Sequence, residues 1–462
     1  MQDLTTGSVA RHLVKTASFM LVTMLFQTLY FLVDLYWVGR LGKEAVAGVG
    51  IAGNLTFIVI AITQMLGVGV TTLVSHAVGQ KDRDRAQFAF NQSLGLSVLV
   101  GLIFLAAGIG VRTSYVDLLS PDARTTSLAG QYLLWFIPAM ALQFPMASMG
   151  AALRGTGNFK PGMVVQTATV ILNMVLAPIL IFGWVTEQPL GVAGAAMASL
   201  LAIGVGTVWL AMYFRPQTSY LRFVRADWKP SLALWKKMLA IGLPAGGEFL
   251  LMGVYAFVVY LIARPFGAAA QAAFGIGMRI MQASFMPVVA LAFSVAPVAG
   301  QNFGARRPDR VRATFTSAVV MAGSFMLFVT ILCQIAGQPM VSVFTDDPEV
   351  IAMGEEYLWI ISWNLVAAGI VFVASSMFQA MGNTLPPLVA SFSRIVAVTL
   401  PAFALVRLPE FELRWIWYLS VIAGTLQLVL IVLLLRREFR RRLNFAPAPA
   451  PLLQNLQDVG AR

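Results

Sequence analysis

LVKTASFMLVTMLFQTLYFLVDLYW, residues 13–37, points to a membrane fold. It is largely apolar and carries no charge apart from Lys15 near its start and Asp34 near its finish. About 20 apolar residues in a helix cross a bilayer core, so this run is long enough to span one. Leu94–Val111 and Trp415–Leu435 repeat the pattern further along. The whole chain follows them, with 462 residues, 58% hydrophobic, 11% charged, and a mean hydropathy of +0.79. A soluble chain carries roughly 25% charged residues, so solubility is excluded as a reading. The run at 13–37 is also too long for a cleaved signal peptide and lacks a small-residue cleavage site.

The formal net charge of +12 does not point to nucleic acid, because the basic residues lie between apolar spans rather than in one patch. With the chain starting in the cytoplasm, about 23 of the 32 Lys and Arg fall in inside loops and tails, the bias of the positive-inside rule. Clusters stand at Lys81-Arg83-Arg85, Arg215–Lys237, Arg306-Arg307-Arg310-Arg312 and Arg436–Arg442, whereas outer loops carry Asp346, Asp347 and Glu349. Both termini are therefore expected in the cytoplasm. The single cysteine, Cys333, rules out an intramolecular disulfide and a cysteine metal site.

The chain repeats itself at an offset of 225 residues. Leu41-Gly42…Gly50-Ile51 aligns with Phe266-Gly267…Gly275-Ile276, Tyr132-Leu133 with Tyr357-Leu358, and Gly157-Asn158…Pro161 with Gly382-Asn383…Pro386. Gly79-Gln80 pairs with Gly300-Gln301 at 221, a compensated four-residue gap. The expected spans are 12–38, 46–76, 87–111, 129–151, 161–183 and 191–213, then 238–263, 270–299, 312–335, 356–379, 386–406 and 414–436. Six per half makes both halves enter from the same side, and such parallel repeats are related by an axis along the membrane normal. The predicted fold is an all-α polytopic membrane protein of twelve transmembrane helices in two six-helix bundles related by that pseudo-two-fold. The expected division is an N-lobe at 1–213, a basic cytoplasmic linker at 214–237, a C-lobe at 238–440 and a disordered tail at 441–462.

An ionisable side chain inside a span is expensive and marks function by default. Only two of the 20 acidic residues are placed deep in the membrane, Asp34 in span 1 and Glu248 in span 7. Their repeat partners are Val259 and Thr23, so the halves differ in chemistry. A carboxylate in such surroundings can alternate between protonated and ionised as water access changes, or pair with a cation. The structural alternative is that each acid neutralises an interior base, for which Arg279 and Arg394 are available. Gln27, Gln64, Gln143, Asn173, Gln282 and Gln379 can line a cavity, although helix–helix hydrogen bonding is the commoner use. His76 is placed at the interface rather than in a proton relay. The 22 Met and 31 Phe are mostly packing or lipid contacts, a minority suiting an adaptable pocket. No G-x-x-x-x-G-K-[ST] is present, nor a His/Cys metal cluster, nucleophile elbow or dinucleotide fingerprint, so neither ATP hydrolysis nor an enzyme is indicated and energy is expected from an ion gradient.

Several motifs together resemble the multidrug and toxic compound extrusion (MATE) family. They are Asp34-x-x-x-Val38-Gly39-x-Leu41-Gly42, Gly79-Gln80, Leu153-Arg154-Gly155-x-Gly157-Asn158, Gly191-Val192-x-Gly194-Ala195-Ala196 and Gly242-Leu243-Pro244, and the resemblance covers roughly 8–440. It implies two lobes around a cleft and antiport of protons or sodium against small organic, cationic or amphipathic compounds. It places Asp34, Asn173 and Ser199 at an N-lobe cation site and Glu248 at a span-7 acid. Two positions depart from the sodium-coupled branch, Ala368 and Ala177, so protons are favoured over sodium. Tyr30, Gln27, Gln143, Gln282, Arg279 and Arg394 are the candidate cavity residues. The expectation is a multi-pass exporter in a bacterial inner membrane, monomeric, with no cofactor, no metal and no nucleic-acid partner. A flippase for lipid-linked precursors in the same superfamily is the alternative transporter, and a non-transporting membrane protein the alternative from another class.

Overall fold

The chain reverses direction wherever its apolar runs meet short polar connections, and the caps show why. Asp82, Asp122 and Asp347 each accept a hydrogen bond from the backbone of the first turn that follows them. Glycines in the left-handed region close other helices, as at Gly183 and Gly382. The computed structural model describes residues 2–120, 122–185, 187–216, 220–408 and 411–445. The described residues are helix and connecting loop, and twelve helices are long and apolar enough to cross a membrane.

In the first half these are α1 (Val9–Gly39), α2 (Lys43–Gly79), α3 (Arg83–Leu119), α4 (Ala123–Gly155), α5 (Phe159–Phe182) and α6 (Gly191–Tyr213). The second half has α7 (Leu232–Ala263), α8 (Gly267–Gly304), α9 (Pro308–Ser342), α10 (Pro348–Ile361), α11 (Leu365–Met381), α12 (Leu385–Leu405) and α13 (Arg414–Arg442). A short 3-10 turn, Ser362–Asn364, joins α10 to α11 as one span. Two buried clusters follow, one built on α2–α6 and the other on α8–α13. Most helices overrun their expected spans by a turn or more, because polar first and last turns continue the hydrogen-bond ladder beyond the apolar core.

Two boundaries move for identifiable reasons. The connection between halves ends at Ser231, not 237, because Gln92 on α3 holds it. Its amide donates to the carbonyls of Asp227 (2.5 Å) and Lys229 (2.7 Å) and accepts from the Ser231 N–H (2.8 Å), while the Trp235 indole donates to the Gln92 carbonyl. The final helix runs through Arg442, past the expected limit of 440, since Arg442 pairs with buried Glu438 one turn back and donates to the Met381 carbonyl. The expected disordered tail beyond 445 lies outside the described residues.

The lobes meet on the side that carries the basic loops. A Cβ on Gly79 would overlap the Gln301 carbonyl of α8, and one on Gly242 would overlap the Met65 carbonyl of α2. Only glycine lets these backbones touch. His76 Nε2 donates to the Ala380 carbonyl and Thr72 to that of Gln379, both across the lobe boundary.

The extreme N-terminus straps this contact. Gln2 N–H bonds Thr156 of the N-lobe, whereas Leu4 N–H bonds the Gln301 side chain. Asn302, Arg307 and Arg310 grip the carbonyls of Leu4, Thr5, Thr6 and Gly7. Leu4 is fully buried in the second cluster, and with it Val9 and Leu13 of α1. Helix α1 thus begins against the C-lobe and finishes against the N-lobe helix α5.

Candidate functional site

Asp34 lies in the last turns of α1, four residues beyond Tyr30 and so on the same helix face. The Tyr30 hydroxyl and Ser199 Oγ on α6 are 3.0 Å apart. Asn173 on α5 donates to the same oxygen at 3.0 Å, and Ser199 donates to the Ala195 carbonyl. Both Asn173 and Ser199 are buried, at 4% and 2% exposure. Tyr132 on α4, also buried, lies within electrostatic reach of Asp34 and Tyr30. Three helices of one lobe thus converge on a hydroxyl network with a carboxylate beside it. The Asp34 Oδ1 atom is buried and has no hydrogen-bond partner. An unpartnered carboxylate oxygen away from water is costly, and a proton or a cation relieves it.

Glu248 occupies the other lobe. Its Oε1 accepts from Ser375 of α11 (2.9 Å) and Ser391 of α12 (3.3 Å), and Gln427 of α13 donates to Ser391. Glu248 lines a small pocket of about 30 Å³ with Phe249, Met252, Phe293, Phe372 and Val68. No arginine pairs with it among the described residues, and serines hold the carboxylate instead. Arg279, expected inside a span as a base, is exposed on α8 and pairs with no acid among the described residues. Arg394 is half-buried and its guanidinium covers the Tyr255 ring at 4.8 Å.

Asp34, Tyr30, Asn173 and Ser199 are therefore brought together, while Glu248 and Arg394 lie apart in the second lobe. Gln27 and Gln282 are exposed, Gln143 is half-buried, and none of the three makes a side-chain hydrogen bond among the described residues. Tyr132, Ser375, Ser391 and Tyr255 are additions to the sequence-based set. A signal for Tyr132 existed in its pairing with Tyr357 across the repeat; hydroxyls such as Ser375 look like any other small residue of an apolar span. Arg154 is a further interior base, since its guanidinium turns back along α4 to the level of Gly67 on α2.

The MatE family model matches residues 20–179 and again 244–403, the spacing of the internal repeat. This chain belongs to the MatE family. It is a multi-pass membrane protein of a transporter family, with the fold of MATE structures. A probable multidrug resistance protein of Bacillus subtilis, YoeA, is 26% identical over 89% of this chain and 90% of its own length. An FAD transporter of Shewanella oneidensis is also 26% identical, over 81% and 83%. A crystal structure of MATE in a bent conformation superposes with a TM-score of 0.89 at 25% identity, covering 95% of this chain and 97% of the other.

Proposed function

We propose that this MATE transporter is a secondary active exporter that uses Asp34 as its coupling carboxylate. The observation that carries the proposal is the buried, unpartnered Asp34 Oδ1 beside the Tyr30–Ser199–Asn173 network. A proton on Asp34 removes the cost of the bare oxygen, and its release restores a charge able to hold a cationic compound. The donors near it amount to one carboxylate, an amide and hydroxyls, thin for sodium, which favours the proton as coupling ion. Glu248, which is not the repeat partner of Asp34, is the second lobe's own acid, set beside a small apolar, phenylalanine-lined pocket that opening of the cleft would widen for an amphipathic cation.

The basic side is the cytoplasm of a bacterial inner membrane, by the positive-inside bias, and both termini lie there. The lobe contacts at Gly79, Gly242 and the N-terminal strap then close the cytoplasmic entrance. Alternating access requires that they part and that the outer ends close instead. The transporter acts as a monomer. The relative named as an FAD transporter favours a second reading, in which the exported compound carries an anionic group.

Efflux from proteoliposomes under separately imposed proton and sodium gradients tests the reading. The proton gradient drives efflux of a cationic dye, and Asp34→Asn abolishes it while the protein stays folded. Sodium-driven efflux with no response to the proton gradient, or wild-type efflux by Asp34→Asn, refutes it.

A further inference from the structure

The internal repeat places matching residues in the two lobes, but the charged group beside them differs in sign and comes from a different position. Tyr30 and Tyr255 are 225 residues apart, as are Tyr132 and Tyr357. The Tyr30 hydroxyl meets Ser199 Oγ at 3.0 Å, and the Tyr255 hydroxyl donates to Ser420 Oγ at 2.9 Å. Each serine in turn donates to the carbonyl four residues earlier on its helix. Tyr132 lies within electrostatic reach of Tyr30, and Tyr357 of Tyr255 and Arg394, so each lobe carries a frame of two tyrosines and a serine. In the N-lobe the charge in that frame is Asp34. In the C-lobe the partner of Asp34 is Val259, which is fully buried and apolar, and the charge is Arg394.

Arg394 lacks what a cation inside a membrane protein ordinarily has. Its Nε is buried without a hydrogen-bond partner, and no acid pairs with it among the described residues. The Glu248 carboxylate of the same lobe is held by Ser375 and Ser391 instead. The face of Tyr255, 4.8 Å from the guanidinium carbon, offsets only part of the cost of an uncompensated charge. Arg394 as a whole is half-buried, so part of the side chain stays open beyond its buried Nε.

We propose that Arg394, framed by Tyr255, Tyr357 and Ser420, is an anion subsite for a carboxylate or phosphate group on the exported compound, which makes the preferred substrate dipolar. The planar guanidinium suits two-point binding of either group. Tyr255 lies two turns of α7 outward from Glu248, roughly 10 Å along the axis, so a compound anchored at Arg394 can direct a cationic end toward that carboxylate. The proposal rests on the exporter reading for its physiological meaning, although the subsite itself is testable without transport.

The test uses two dyes of nearly the same shape, zwitterionic rhodamine B and its cationic relative rhodamine 6G, bound to the purified full-length protein and read by fluorescence anisotropy. Arg394→Gln is expected to weaken rhodamine B at least about tenfold relative to rhodamine 6G, and Arg394→Lys to recover part of that ratio. A ratio unchanged by Arg394→Gln overturns the proposal, because a merely structural arginine would move both dyes together. A second measurement decides the matter even if neither dye binds. Peptide-resolved mass spectrometry of phenylglyoxal labelling is expected to show Arg394 protected by benzoate and not by benzylamine, in detergent free of phospholipid. Protection only after phosphatidylglycerol is added assigns the group to a lipid headgroup and overturns the substrate subsite, as does no protection at all. Failure of rhodamine 6G efflux by the wild type, by contrast, strikes the exporter reading alone.

Discussion

Replacing Leu4 by Ala is expected to loosen the closed cytoplasmic contact without damaging either lobe. Leu4 is fully buried between the lobes' basic ends, beside Gly157 of one and bonded through its backbone to Gln301 and Asn302 of the other. Truncating a buried leucine costs about 2–5 kcal/mol. Only the part lost when the lobes separate changes the balance between closed and open forms, since a contact kept in both states shifts nothing. If the strap lets go on opening, a shift of about 2 kcal/mol lowers the closed-to-open ratio roughly 30-fold. Spin labels at Lys160→Cys and Arg312→Cys, exposed positions at the starts of α5 and α9, report the separation of the lobes when Cys333 is removed. Double electron–electron resonance should show a longer-distance population appear with Leu4→Ala. Leu133→Ala, equally buried but inside the N-lobe cluster, should lower the melting temperature and leave the distances alone. Distances unchanged by Leu4→Ala would refute the strap, showing that it stays bound throughout.

Other outcomes follow from the same geometry. Gly79→Val sets a side chain against the Gln301 backbone, which cannot rotate away, so the same labels should report a cytoplasmic side held open, and efflux should fall sharply. Ser375→Ala with Ser391→Ala strips both donors from Glu248, and efflux of a cationic dye from proteoliposomes should fall several-fold. Asp3 is held below its ordinary value of 3.8, first by the Thr5 hydroxyl. A depressed carboxyl supports the folded strap above that ordinary value and withdraws support as the pH falls through the lowered one, so proteolytic nicking near residue 6 should increase only below about pH 3.8. Arg442→Met leaves buried Glu438 with Asn383 as its remaining partner and should lower thermal stability by about 1–3 kcal/mol, read as a shift in melting temperature.

Twelve spans, the duplication and the two interior acids were legible in the amino-acid order alone. Apolar length, repeat offset and a charge stranded in a run such as 13–37 are properties of order along the chain, legible without coordinates. Helix ends were less so, because the turns beyond Leu435 and before Met238 are polar and are set by partners such as Met381 and Gln92. What surrounds each charge was decided only in three dimensions. Tyr30, one turn before Asp34, meets Ser199 from 169 residues away, Glu248 meets serines, and Arg394 meets Tyr255 and no acid among the described residues. These pairings depend on how neighbouring helices rotate about their axes. That rotation is settled by close packing over whole interfaces, down to glycines such as Gly79 and Gly242, and no single stretch of sequence contains it.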